Sequence, residues 1–168
     1  MERKTIWKWF FVWDFEKEEQ WLNEMASQGW ALVGVGFCRY EFERCEPDAY
    51  IIRMQMDKNG RDYIQFIKDT GAEYIGRMVN WIYFRKDASL GAFELFSDID
   101  SRIEHLKRIG YTLLMIGIGN LLIGIVNSLG TNSRFGWINL LCATFLMYGL
   151  GRIHGKIEAL EKERTLRE

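Results

Sequence analysis

The residue types that most often carry chemistry are sparse in this chain, and their spacing argues against most uses. Asp98, Asp100, Glu104 and His105 stand close together and include the groups of an acid/base pair or a metal site. On a helix Asp98 and Asp100 point apart, whereas a metal pair prefers ligands one turn apart. This cluster is therefore expected on a solvated face. Cys38, Cys45 and Cys142 contain no CxxC, and two histidines do not complete a zinc site at usual spacings. Cys38 and Cys45 are an odd number of positions apart along a strand, so they fall on opposite faces and no redox pair is expected. The GVG at Gly34–Gly36 lies in a strand pattern with no helix start after it, unlike a phosphate loop. No catalytic residue, metal site or cofactor is expected, and the unpaired thiols suit a reducing compartment.

What remains is a binding surface. Alternation along the predicted strands places Trp7, Trp9, Phe11, Arg39, Glu41, Arg53, Gln55, Arg77, Trp81 and Tyr83 on one face. Aromatic planes beside guanidinium groups can hold a flat or anionic ligand. The expected binding residues are Trp7, Trp9, Arg39, Arg53, Arg77, Trp81 and Tyr83. The bland alternative is that residues 88–107, or a second subunit, cover that face. Nucleic acid is not expected: through Asp100 there are 13 Lys and Arg against 18 Asp and Glu, and affinity for polyanions rests on basic groups.

The elements that would position this face repeat. ASQGWALVGVG at Ala26–Gly36 and KDTGAEYIGRM at Lys68–Met78 align without a gap. The same offset pairs Trp21 with Tyr63, Leu22 with Ile64, Met25 with Ile67, Gly29 with Gly71, Gly34 with Gly76 and Phe42 with Phe84. In each copy an acidic first turn opens a helix, an apolar stripe follows, and a glycine stops it. Asp14 is the expected cap of the first helix. Asn59 and Asp62 resemble a capping box for the second. Strands are expected at 4–13, 30–43, 50–57 and 73–86, and Pro47 marks the link between copies. The order βαββαβ reads as an α+β, ferredoxin-like sandwich of two βαβ halves, with a four-stranded antiparallel sheet.

The second part of the chain changes character, which the overall mean hydropathy of −0.16 conceals. Ile109–Leu129 carries no charge over 21 positions, and Phe135–Gly151 none over 17. The first is long enough to cross a hydrocarbon core of about 30 Å, and the second is at the short end of the range. Flanking Arg134 and Arg152 could snorkel. Arg102, Lys107 and Arg108 precede the first run and Arg152 and Lys156 follow the second, while the link holds only Arg134. The Lys/Arg bias predicts a transmembrane hairpin with both termini cytoplasmic. Ser97 and Asp100 suggest a capped amphipathic helix leading into it, with Phe93, Phe96, Ile99, Ile103 and Leu106 on its apolar side. The expected organisation is a cytoplasmic domain over 1–87, a connector helix over 88–108, a membrane hairpin over 109–151 and a charged tail over 152–168.

The run EKEEQWLNEMASQGWALVGVG, the YEF at Tyr40–Phe42, the YFRK at Tyr83–Lys86 and the FSDIDSRIEHLK before the apolar run resemble the bacterial domain of unknown function 2812 family. The resemblance covers roughly 4–106, and its WLN-x-MA-x-x-GW core is the most specific part. It implies a cytoplasmic module in the bacterial cell, often with membrane helices appended and with genes near PadR-type regulators. It implies no activity and no catalytic residues. The function expected is recognition of a partner protein or small effector by a membrane-tethered module, with the lipid bilayer and a protein partner or homo-oligomer as its contacts. A small accessory subunit of a membrane transport complex is the alternative, and a membrane-bound enzyme comes third.

Overall fold

The computed structural model of the chain describes residues 2–57, 60–130 and 133–167. It divides into two compact units, Met1–Ser97 and Asp98–Glu168.

The first unit is a mixed α+β domain made of one pattern used twice. Strand β1 (Arg3–Trp7), helix α1 (Phe15–Ser27) and strands β2 (Trp30–Gly36) and β3 (Arg39–Arg44) form the first copy. Strand β4 (Tyr50–Met56), helix α2 (Arg61–Asp69) and strands β5 (Ala72–Met78) and β6 (Trp81–Asp87) form the second. Each copy builds its own three-stranded antiparallel sheet, ordered β1-β3-β2 and β4-β6-β5. This corrects the expected single four-stranded sheet. The two long strands predicted at 30–43 and 73–86 are hairpins, each folded at a two-residue loop, Phe37-Cys38 and Val79-Asn80. Neither loop contains the Gly or Pro that usually marks a turn. Cys38 and Val79 instead take left-handed φ values of 54° each. The strand predicted at 4–13 is also shorter, because Val12–Asp14 is a turn of 3-10 helix.

The repeat holds at backbone level. Gly29 and Gly71 follow the two helices with φ of 81° and 86°, a region open to glycine and costly for other residues. Both hairpins carry a register shift at the same place, between Leu32 and Gly34 and between Tyr74 and Gly76. The later glycine of each pair has a packing reason. A Cβ on Gly34 would stand 2.9 Å from Glu41 Oε2, and one on Gly76 would stand 3.0 Å from Val35 Cγ2. Asp14 holds the cap position of α1 but its side chain makes no capping hydrogen bond; its carboxylate pairs with Lys17 Nζ at 2.9 Å instead. Asn59 lies outside the described residues; Gly60 occupies the cap position of α2, its N–H donating to Asp57 Oδ1 at 3.0 Å.

The helices settle on the sheets through apolar stripes. Trp21 packs edge-on to Tyr40 and Phe42 of β3. Ile67 of α2 joins Ala72, Ile82, Phe84 and Phe93 in a buried cluster. Leu22, Phe42, Ile82 and Phe84 have no exposed surface, and burying each side chain is worth about 1.5–3 kcal/mol. Phe93 comes from residues 88–97, which therefore contribute to this domain's core rather than to a connector helix.

The second unit is a pair of long antiparallel helices, α3 (Ile99–Leu129) and α4 (Ser133–Arg167). The cap of α3 is one residue later than the sequence suggests: the Asp98 carboxylate accepts from the Ser101 N–H at 2.7 Å, and Ser101 Oγ accepts from the Asp98 N–H. The part of the expected connector from Ile99 onward and the first apolar run are one continuous helix. Among the buried residues of α3, three glycines meet α4: Gly124 lies against Leu140, Gly117 against Leu146 and Met147, and Gly110 against Leu150 and Ile153. Met115, Leu122, Ile123 and Val126 point outward and are at least half exposed. By length and composition α3 can cross a membrane, with a mean hydropathy of 2.0 in its most apolar stretch.

Candidate functional site

Helix α1 contacts both sheets, and this decides which surfaces remain open. Phe15 packs at 5.3 Å, ring to ring, on Trp81 of β6. Glu18 Oε1 accepts the hydroxyls of Tyr40 (β3) at 2.8 Å and Tyr83 (β6) at 2.6 Å. Asn23 treats the outer edge of β4 as a neighbouring strand would: its Nδ2 donates to the Ile52 carbonyl and its Oδ1 accepts from the Ile52 N–H, both at 2.9 Å. Glu19 Oε2 accepts from the Met54 N–H at 2.9 Å. Side chains of α1 thus close an edge that would otherwise be free to pair with another chain.

Of the seven predicted binding residues, the structure brings no single face together. Trp81 and Tyr83 are buried beneath α1, because a helix of the first copy covers the second sheet, which no strand-by-strand alternation can reveal. Arg53 lies between Glu94 (2.8 Å) and Glu19 (3.6 Å). Arg77 pairs with Asp57, and Arg39 with Glu41. Trp7 and Trp9 are open to solvent, 71 % and 57 % exposed. Trp9 belongs to a ring cluster, and Trp7 ends β1 with Arg39 opposite. Trp9 meets Phe37 edge-on at 5.8 Å and Phe11 at 6.1 Å. Phe37, 70 % exposed, sits at the hairpin tip. The continuous strand expected over 30–43 hides this position, because the hairpin loop there carries no turn residue.

Glu18 was also missed as a buried group. Its burial raises its pKa, an effect only partly offset by the two tyrosine hydrogen bonds. Burial and the nearby carboxylate push both tyrosines well above the usual phenol range. The signal was present in the spacing, since Glu18, Leu22 and Met25 fall on one helical stripe. With one oxygen bonded to two phenols and little solvent access, this carboxyl group links the two copies.

The Asp98–His105 cluster is dispersed. Asp98 caps α3, Asp100 pairs with Arg164 at 2.8 Å and Glu104 with Arg108 at 3.6 Å. His105 is buried, which corrects its expected place on a solvated face. Among the described residues no three His, Cys, Asp or Glu side chains gather as metal ligands, and Cys38, Cys45 and Cys142 are free thiols.

No curated protein and no solved structure matches the chain. The model of one family, described as Protein of unknown function (DUF2812), matches residues 14–118, from the start of α1 through the first part of α3. That span is more than half of the 168 residues and contains the WLN and YFRK segments whose geometry is given above, and the chain belongs to the DUF2812 family.

Proposed function

We propose that this protein is a membrane-anchored module that works by binding rather than by chemistry. The first unit lies in the cytoplasm, and α3 and α4 form a two-helix hairpin across the cell membrane with both termini inside. The apolar runs and the Lys/Arg bias around them support the hairpin. So do the outward apolar side chains of α3. The observation that carries the binding role is the exposed aromatic tip of the first sheet, Trp7, Trp9 and Phe37. Soluble surfaces rarely leave several large rings together in water without a use for them. Regulation through a bound partner is the role that suits a tethered domain with no reactive cluster among its described residues. A photo-activatable phenylalanine analogue at position 37 tests this in native membranes. A discrete adduct, absent when the analogue replaces exposed Phe66 on α2, is expected. No adduct at either position contradicts the reading.

A further inference from the structure

The same tip has features that name its occupant. Phe37 projects from a loop of only two residues, held there by the left-handed backbone at Cys38. Trp9 stands edge-on to it, and Trp7 ends the neighbouring strand with Arg39 opposite across the ladder. Lys8 lies next in the chain, its Nζ 4.4 Å from the centre of the Trp21 ring. Exposed tryptophan and phenylalanine at a strand end and hairpin tip, with basic side chains behind them, match the chemistry of the bilayer interface. Amphipathic rings settle at headgroup level, and cations face the phosphates.

Connectivity favours lipid over a second protein. The first unit ends at Ser97 and α3 starts at Ile99, so no linker intervenes. The charged first turns of α3, residues 99–108, rise roughly 15 Å at 1.5 Å per residue before the uncharged run begins. A domain tethered to the bilayer meets its surface at high effective concentration, and a weak contact suffices. The first hundred residues are net acidic, so attraction to anionic headgroups is small and ring insertion must carry the contact.

Resting on the membrane-anchored reading above, we propose that Trp7, Trp9 and Phe37 form a lipid-contacting tip that seats the first unit on the bilayer interface. The test uses the full chain with Cys45→Ser and Cys142→Ser, reconstituted into phosphatidylcholine vesicles and labelled with an environment-sensitive fluorophore at native Cys38. A Phe66→Cys label in a chain lacking the native cysteines is the control. Blue-shifted emission at position 38, quenched severalfold more by a shallow spin-labelled phosphatidylcholine than at position 66, is expected. The difference should persist at high salt and vanish in Trp7→Ser/Trp9→Ser, whose near-UV circular dichroism should otherwise match the parent. Water-like emission and equal quenching at both positions overturn the proposal. Photo-cross-linking from position 37 separates the two readings: a protein adduct keeps the partner-binding role and removes the lipid contact, whereas a phospholipid adduct supports the lipid contact and takes this surface from a protein partner.

Discussion

Tyr40 of the first copy and Tyr83 of the second direct their hydroxyls at one oxygen, Glu18 Oε1, from 2.8 and 2.6 Å. The two residues are not equivalent in the repeat, so this junction belongs to the joined pair and not to either copy. Burial raises the Glu18 pKa in the folded protein above its ordinary value of 4.5. A raised value means the fold prefers the protonated acid. The stability this group contributes is complete below about pH 4.5 and is lost as the pH rises through the folded value. Glu18→Gln keeps an acceptor for the tyrosines and removes the titration. Its melting temperature should lack the decline that the parent shows from acid to neutral pH. Glu18→Ala strands two buried hydroxyls, at about 1–3 kcal/mol each.

Asn23 supplies both a donor and an acceptor to the Ile52 backbone. Asn23→Ala should destabilise the first unit by about 1–3 kcal/mol, because the freed peptide groups face the helix. Amide hydrogen exchange gives a local readout. The Ile52 amide should exchange much faster in the variant, while amides of the β4–β6 ladder change only with the global loss.

Gly29 and Gly71 share a left-handed backbone but not their surroundings. A Cβ at Gly29 would lie 2.9 Å from the Cys45 carbonyl oxygen, while at Gly71 it would lie 3.4 Å from flexible Leu90 Cδ1. Both alanine variants should lose about 1 kcal/mol or more to backbone strain. Gly29→Ala should lose the more, as its obstacle is backbone. Thermal unfolding of the two variants gives the order.

The repeat was legible because glycine at a helix stop and at a register shift is demanded locally, and local demands are written in residue types. The hairpin loops were not. Phe37-Cys38 and Val79-Asn80 turn without glycine, so alternation ran on unbroken and two hairpins read as two long strands. The buried state of Trp81 and Tyr83 lay further from view. It depends on α1 crossing from one copy to the other, a long-range contact with no sequence period. Trp7 and Trp9 are exposed, and no described residue buries them.

The helix pair makes its own prediction. A methyl group at Gly124 would meet Leu140 Cδ2 at 2.9 Å and its backbone nitrogen at 3.2 Å, while Gly119 has nothing within 4 Å. Gly124→Ala should weaken the α3–α4 pairing, read as slower cross-linking between cysteines introduced at facing positions on the two helices. Gly119→Ala should leave it unchanged.

The most direct test of the account is the sidedness of the helical hairpin in intact cells. With Cys38, Cys45 and Cys142 replaced by serine, one variant carries Thr131→Cys in the link, a position outside the described residues, and another carries Glu163→Cys near the end of α4. A membrane-impermeant thiol reagent should label Thr131→Cys and leave Glu163→Cys unlabelled until the cells are opened. Labelling of both in intact cells, or of neither, would contradict a cytoplasmic module anchored by a two-helix span.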